Sequence, residues 1–475
     1  MKHWLVFFLF GLFLPFPVSS QHIRWLSDTA NCQLLFQLFG QAALFGLDEK
    51  DYAYTTVRQV QSATVIRDTL SVDNAITDAA TSFFSDIAYG RQANRITYNG
   101  LNYYPTCMNI RDSIVYALRE HRLGTLASRL EPHNPMYAAL KQQLAVLYSR
   151  LSLAATPVIA EQLDSTNHPL IERLYQLGIT DSLNYAVSED SLRNMLRKAQ
   201  RMFEMLEDGH VRQAILEELN ISMEKRLYEL KQALNTWRWL NCIQEEEPVI
   251  IVDIPAANLF YLYKDSVRFY TRCIVGKPAT PTTPLVSKVH EVILFPYWTV
   301  PHEIAVNELL PAIKGAPADY LDYGNYQVLD KMGKVVDPAG IKWQQLNKNN
   351  FPYTLRQLFG CDNSLGIIKL NFYSPYSTYL HDTPNKSYFL FNSRYFSHGC
   401  VRVENVDVLA EMLEPALHPF LANSPSTVCD LAAGNGQLIF PLKHPVPLFI
   451  LYEVAWPDPN GVIRFYDDVY NKVKI

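Results

Sequence analysis

The sequence is notable first for what it lacks. None of its seven cysteines (Cys32, Cys107, Cys242, Cys273, Cys361, Cys400 and Cys429) forms a Cys-x-x-Cys pair. A zinc ribbon or a thioredoxin-like redox site is therefore unsupported. It has no tandem repeat and no extended low-complexity linker. Neither charge sign dominates: 42 Lys and Arg stand against 47 Asp and Glu, a net charge of −5. That balance argues against broad, nonspecific nucleic-acid binding. Beyond the extreme N-terminus no segment reads as a membrane span. Apolar residues make up 48% and charged residues 19%, with 28 Pro, 19 Gly, 7 Trp, 28 Tyr and 24 Phe. This composition excludes wholesale disorder, collagen, a long coiled coil and a small disulfide-stapled domain. A chain of 475 residues has room for roughly three domains and a large core.

The start of the chain is a targeting signal by composition. Lys2 precedes an apolar run from Trp4 to Phe13, then Pro15, Pro17 and the small residues Val18-Ser19-Ser20. The pattern predicts a secretory leader over 1–20, cleaved after Ser20. The run is short for a bilayer span, although an uncleaved anchor is the alternative. No Cys stands at the new terminus, so no lipid anchor is expected. The mature chain is then expected in the periplasm or cell envelope, where disulfides form. An odd cysteine count leaves at least one thiol unpaired if the others pair internally.

Residues 21 to about 245 read as helices. Asn134-Pro135 opens the run MYAALKQQLAVLYSRLSLAA, with apolar positions at helical spacing. SLRNMLRKAQRMFEMLEDG, VRQAILEELN and SMEKRLYELKQALNTWRWL follow, and their Leu and Met stripes read as core packing. Composition changes at Glu245-Glu246-Glu247-Pro248. The β-branched and aromatic stretch that follows predicts two or three strands, continued by VSKVHEVILFPYWTVP. NELLPAIKG predicts a short helix, DYGNYQVLDKMGKVVDPAG a hairpin, GIIKLNF and TYLHDT strands, and VDVLAEMLEP a helix. The C-terminal PVPLFILYEVAWPDPNGVIRF predicts strands turning at Asp458-Pro459-Asn460-Gly461.

Chemistry concentrates in 379–405, YLHDTPNKSYFLFNSRYFSHGCVRVEN. His381 closes a strand, and Cys400 lies downstream between Gly399 and Val401, expected just before a helix. This suits a thiolate nucleophile with an imidazole base, forming an acyl-enzyme. Arg402 is placed to supply a cationic field. Gly399 allows close backbone approach, so the Gly399 and Cys400 amides are expected to face an oxyanion. Two other readings stand beside this one. Cys400 as a buried core thiol with structural histidines is one. A metal held by His381, His398, Cys400 and Asp382 is the other, without a zinc signature to support it.

The same stretch resembles the L,D-transpeptidase (YkuD-like) catalytic domain, and within that family the large periplasmic YcbB-like subgroup. The residues that carry the resemblance are His381 followed by Ser397-His398-Gly399-Cys400-Val401-Arg402. Leu365-Gly366, Lys369, the run His381-Asp382-Thr383-Pro384, Lys386, Arg394 and Val403-Glu404 also fit. Upstream, Val275-Gly276-Lys277-Pro278, Phe295-Pro296-Tyr297-Trp298 and Trp237-Arg238-Trp239-Leu240 are similar too.

The resemblance implies a multidomain α+β protein: a helical N-terminal scaffold followed by a mainly β catalytic domain with a lid-like insertion. Its expected parts are a leader over 1–20, a helical scaffold over 21–165 and a degenerate peptidoglycan-binding-like helical module over 166–245. The catalytic domain then covers 246–475, with the insertion at about 311–364. The module is called degenerate because part of the usual pattern is missing between Ala199-Gln200 and Leu219-Asn220, and a scaffold for the catalytic domain is the competing reading.

The implied roles are Cys400 as nucleophile, His381 as general base, and the Gly399 backbone in the oxyanion hole. His398 walls the pocket, and Arg402 orders the site and meets a substrate carboxylate. Tyr379, Ser397 and Arg394 are expected at the substrate. The third triad member is unassigned, with Asp382 a weak candidate. The implied reaction uses no metal or organic cofactor. Cys400 attacks the third residue of a tetrapeptide donor, D-alanine leaves, and a diamino-acid acceptor makes a 3–3 crosslink. Carbapenems would acylate the same thiol. Neither nucleic acid nor a stable membrane span in the mature chain is expected. A carboxypeptidase or crosslink hydrolase of the same fold, and a catalytically silent wall-binding scaffold, are the alternatives.

Overall fold

The computed structural model describes residues 22–52, 54–62, 68–91, 96–152, 168–422 and 435–474. The expected leader lies outside them. No helix among the described residues is long and apolar enough to cross a membrane. The chain forms two compact units. One comprises residues up to Ala43, Asp48–Ser85 and Met108–Arg129; the other Leu44–Leu47, Asp86–Cys107 and Leu130–Ile475.

The first unit is helical. Its helix Thr29–Gly40 begins where the Asp28 carboxylate accepts the Asn31 N–H, satisfying a donor the helix cannot. Asn109 does the same for Ile110–Arg119 through the Asp112 N–H. Its interior is aromatic: Phe39 and Tyr52 each meet the Phe83 ring edge-on, at 5.2 and 5.0 Å. The Trp25 indole is buried, and its N–H donates to Thr77 Oγ1 at 3.0 Å.

In the second unit, Asn134 caps a helix over Pro135–Arg150, with Pro135 in its first turn, where no N–H is needed. The helix expected to run on to Gly209 stops at Met202. Glu204 has φ +54°, outside right-handed helical space. Ser222 caps the long helix Met223–Glu246. Trp237 of that helix stacks on Trp456 at 5.0 Å, and Trp239 meets Phe449 edge-on at 5.4 Å. The tryptophan motif is thus the seam between helices and sheet, and a Cys107–Cys242 disulfide lies on the same helix. Cys361 is also disulfide-bonded, while Cys32, Cys273 and Cys400 are free thiols.

Fifteen strands follow among the described residues: β1 (Val249–Asp253), β2 (Asn258–Tyr263), β3 (Ser266–Gly276), β4 (Leu285–Leu294), β5 (Trp298–Thr299), β6 (Tyr326–Leu329), β7 (Val335–Val336), β8 (Thr354–Gln357), β9 (Ile368–Phe372), β10 (Leu380–His381), β11 (Tyr395–Ser397), β12 (Val401–Val403), β13 (Leu438–Leu451), β14 (Ala455–Pro457) and β15 (Ile463–Phe465). Nine form one sheet in the order β11-β3-β12-β10-β9-β4-β13-β1-β2, and β2 pairs back to β3. The sheet thereby closes on itself into a barrel-like form. The fold is the expected multidomain α+β arrangement, a helical N-terminal region followed by a β-rich domain. β14 and β15 form the C-terminal hairpin around Asp458–Gly461, whose carboxylate at Asp458 accepts the Asn460 and Val462 amides.

Strands β5, β8, β6 and β7 form a separate sheet. With the helical run His302–Gly315 it encloses its own core of Val306, Leu310, Ile313, Leu321, Val328, Trp343 and Leu355. Pro311 lies inside that run and cannot donate an amide hydrogen. The preceding turn, Ala305–Leu309, is correspondingly widened to a π-helix.

Candidate active site

The site grows out of one short strand. β10 lies between β9 and β12, pairing Leu380 with Leu370 and Val401, and His381 with Lys369 and Arg402. Paired residues share a face, and successive residues alternate faces. One rung, Leu370–Leu380–Val401, is fully buried in the barrel core. Each such side chain contributes about 2 kcal/mol on burial. The next rung is Lys369–His381–Arg402, on the other face. A one-residue slip would drive His381 and its two cations into the core, so the leucines set the register of the polar rung.

Cys400 enters just before β12. The structure corrects the expected helix after it: Val401-Arg402-Val403 is a strand, and the helix begins only at Val406. The segment after the thiol therefore offers it no helix N-terminus, and its support comes from the Tyr379 backbone and from side chains. The turn before it is held from several sides. Ser397 Oγ donates to the Cys400 carbonyl at 2.6 Å and accepts the Gly399 N–H at 3.1 Å. Thr282 Oγ1 donates to the Gly399 carbonyl at 3.0 Å, and Thr280 Oγ1 to the Ser397 carbonyl at 3.1 Å. Gly399 sits at φ +109°, a conformation that side chains rarely adopt. Its amide, expected in an oxyanion hole, is engaged by Ser397.

The half-buried Cys400 thiol is pushed up from its ordinary value by burial. Hydrogen bonding from Tyr379 and the positive charges of Lys369 and Arg402 work in the opposite direction. The Tyr379 phenol bonds the thiol and meets the Trp298 indole; burial raises its own pKa. Lys369 Nζ sits 4.4 Å above the Tyr379 ring. Burial lowers the pKa of both Lys369 and Arg402. Neither has an ion-pair partner among the described residues, and the Arg402 Nε is buried without a hydrogen bond.

His381 is buried, and its ring centroid lies 5.6 Å from that of Tyr379. Burial, with Arg402 and Lys369 nearby, lowers its pKa to about 3 despite the favourable backbone groups of Asp382 and Leu365. Its Nδ1 donates to the Asp382 carbonyl at 2.5 Å in the neutral tautomer that carries a proton there. Asp382 thus meets the ring through its backbone. Its carboxylate is bound elsewhere, accepting the Ile367 N–H at 3.0 Å and pairing with Lys386. The carboxylate packs so closely on Gly366 that a Cβ there would lie 2.3 Å from Oδ2.

Two expectations change. Arg394 is not presented to a substrate: it is buried and donates to the carbonyls of Phe391, Asn392 and Ala256. It holds the approach to β11. His398, expected to wall a pocket, meets Glu308 Oε1 through its Nε2 at 2.6 Å, tying the motif to the π-turn that precedes the expected insertion. No cluster of three or more His, Cys, Asp or Glu among the described residues is arranged to hold a metal. The sequence reading named Lys369 only as part of the resemblance and gave it no role, and it missed Thr280, Thr282 and Glu308. Lys369 alone had a signal, its place in an alternating strand close before His381.

These features place a free cysteine, a buried histidine and two cations without ion pairs among the described residues along the β9–β10–β12 edge of a barrel-like sheet. The chain carries an L,D-transpeptidase catalytic domain of the YkuD type: residues 247–420 match that family model. Residues 20–144 match a model described as a scaffold domain. Over 247 residues the chain is 36% identical to a candidate L,D-transpeptidase of Haemophilus influenzae, covering 50% of this chain and 47% of that protein. The chain thus spans about half the length of this relative. Solved structures of L,D-transpeptidases from Mycobacterium smegmatis and Enterococcus faecium are similar at 13% and 12% identity. They cover 43% and 49% of this chain, and 58% and 65% of theirs. Their TM-scores of 0.18 and 0.19 lend no weight of their own.

Proposed function

We propose that the protein is a peptidoglycan L,D-transpeptidase of the cell envelope, of the large periplasmic YcbB-like subgroup, that forms 3–3 crosslinks through Cys400. The observation that carries this reading is the rung Lys369–His381–Arg402 beside a free thiol. The neutral His381 ring, with its Nδ1 proton held by the Asp382 carbonyl, leaves Nε2 to take a proton.

In this reading the resting pair is thiol and imidazole, because burial raises one pKa and lowers the other. As Sγ attacks the carbonyl of the third donor residue, its proton passes to His381 and negative charge develops on the carbonyl oxygen. The Cys400 amide serves as an oxyanion donor. The C–N bond to D-alanine breaks, and the proton on His381 goes to the leaving amine. The acceptor's side-chain amine then attacks the thioester, losing its proton to His381, and the thiol is restored. Arg402 and Lys369 meet the donor's carboxylates, Tyr379 steadies the sulfur, and Ser397 holds the turn. Residues 166–245 serve as a helical support derived from a wall-binding module, and the insertion covers the groove from Glu308.

The test is incubation of the mature protein with disaccharide-tetrapeptides, with products followed by mass spectrometry beside Cys400→Ala. Dimers that have lost one D-alanine are expected. Tripeptide monomers alone would reassign the protein as a carboxypeptidase. Unchanged substrate would favour a silent scaffold. Equal products from the Cys400→Ala protein would falsify the thiol mechanism.

A further inference from the structure

The catalytic turn is braced by a part of the chain that lies beyond residues 247–420, the stretch matched by the family model. The Gly399 carbonyl accepts a hydrogen bond from Thr282 Oγ1 at 3.0 Å. That carbonyl and the Cys400 N–H belong to one planar peptide group and point to opposite sides of it. Fixing the direction of one fixes the other. Gly399, at φ +109°, has no side chain to limit its rotation, so the plane takes its direction from outside. Thr282 is the group that aims the Cys400 amide.

Thr282 is held in its turn. It is fully buried, and its Oγ1 accepts the Gly276 N–H at 2.9 Å. The Tyr470 hydroxyl meets the same loop, donating to the Gly276 carbonyl at 2.5 Å and accepting the Thr282 N–H at 3.2 Å. One phenol thereby closes both ends of the segment 276–282. The tail that carries this phenol is anchored as well. The Tyr470 N–H donates to the Tyr452 hydroxyl at 2.8 Å, which donates to Asp468 Oδ1 at 2.6 Å. The Asp468 carboxylate also accepts the Lys472 and Val473 amides, each at 2.8 Å. A phenylalanine would pack the same ring against Tyr452, 5.5 Å away. The hydroxyl alone reaches the loop.

We propose that Tyr470 is a positioning residue for the reaction: through Thr282 and the Gly399 carbonyl it orients the Cys400 amide toward the oxyanion. The inference rests on the acyl-enzyme reading of Cys400. A donor to the oxyanion stabilises it most when its direction is fixed before charge develops, and the tail fixes it.

Two reagents separate this role from a merely structural one. In acylation by p-nitrophenyl acetate, Sγ bonds the ester carbonyl carbon, its proton passes to His381, negative charge collects on the carbonyl oxygen, and p-nitrophenolate leaves. Alkylation by iodoacetamide displaces iodide from a saturated carbon and forms no oxyanion. In the full mature chain, Tyr470→Phe is expected to slow acylation of Cys400 about tenfold while alkylation, followed at Cys400 by peptide mapping, stays within about twofold. Thr282→Val is expected to slow acylation about 10²-fold, and Thr282→Ser, which keeps the hydroxyl, to recover most of that loss. Adding Tyr470→Phe to Thr282→Val is expected to cost less than about twofold more, because both act through one link. With the disaccharide-tetrapeptide, Tyr470→Phe is expected to lower kcat and leave KM nearly unchanged. Thermal melts confirm that each variant folds. If Tyr470→Phe does not fold, Asp468→Asn, which loosens the anchor of the tail, takes its place with the same selective loss expected. Acylation that is unchanged, that falls in step with alkylation, or that falls additively with Thr282→Val overturns the proposal. A parent protein that the ester does not acylate at Cys400 overturns it too. Selective loss of acylation in a protein that turns over no disaccharide-tetrapeptide sinks the transpeptidase reading and leaves the positioning role standing.

Discussion

Two arginines in the same unit, Arg238 fully buried and Arg402 half-buried, illustrate opposite uses of charge. Arg238, in the long helix, is fully buried and donates to the Tyr137 hydroxyl at 2.7 Å and to the Phe45 carbonyl at 2.7 Å. The Glu131 carboxylate stands 3.8 Å away. Arg402, on β12, has no ion pair among the described residues and keeps a buried Nε without an acceptor. A satisfied buried charge is a fixture, whereas an unsatisfied one is costly unless something else uses it. Lys369, on the same rung, likewise has no ion pair among the described residues. Arg238 spends its donors on holding shape, and the β10 rung leaves its own open to a ligand.

The sharpest test of that contrast begins with the two groups at its centre. Cys400→Ala is expected to reduce crosslinking by about 10³-fold or more, and His381→Ala by about 10²–10⁴-fold. Both are read by donor turnover with a melt as control. Loss of folding in either variant would move these residues to the structural side. Next comes the direct exchange. Arg402→Met is expected to lower kcat/KM by about 10²-fold while leaving stability nearly unchanged, because Arg402 is half-buried and has no ion pair to lose among the described residues. Arg238→Met is expected to cost about 3 kcal/mol in denaturant unfolding, because it removes charge-assisted hydrogen bonds to Tyr137 and the Phe45 carbonyl from a fully buried site, while Glu131 keeps Lys141. The comparison breaks if Arg402→Met destabilises as much as Arg238→Met.

Much of this arrangement can be read in the chain, and the unread part has a physical reason. The spacing of His381 and the Ser397–Arg402 motif locates the site, since local sequence carries the nucleophile's turn. The strand pattern around GIIKLNF and the cap at Asn134-Pro135 are likewise local signals. Lys369 fits the resemblance but has no legible role, because its neighbourhood to His381 exists only through the pairing of β9 with β10. Glu308 is 90 residues from His398. The mistaken helix after Cys400 came from weighing Val401-Arg402-Val403 with the following helix, although its alternation has a strand's period. Arg394 looked functional because an arginine near a motif has the same appearance whether it faces substrate or carbonyls.

His381 offers a milder probe of the same rung, through pH. Its folded pKa of about 3 lies below the ordinary 6.5. Between these values the unfolded chain binds more protons at this residue than the folded one, so its contribution makes stability rise with pH. As pH falls from 6.5 toward 3, that stability is progressively lost. His381→Gln removes the titration, and the fall in Tm over this window is expected to be shallower than in the parent protein. An unchanged slope would mean that His381 is not held neutral by its surroundings.

The smallest expected effect concerns Lys369, and it bears most directly on why the rung is left unpaired. Burial raises the Cys400 pKa above its ordinary 9.0, and Lys369 is one of the charges that restrain the rise. Lys369→Met removes that restraint while keeping a chain of similar length over the Tyr379 ring. The pH dependence of Cys400 alkylation by iodoacetamide is expected to shift to higher pH, with slower labelling at neutral pH, since only the thiolate reacts. Arg238→Met leaves this profile where it was, because Arg238 is not among the charges acting on the thiol. If Lys369→Met also leaves it in place, the ammonium does not serve the sulfur, and its open position on the rung belongs to substrate binding alone.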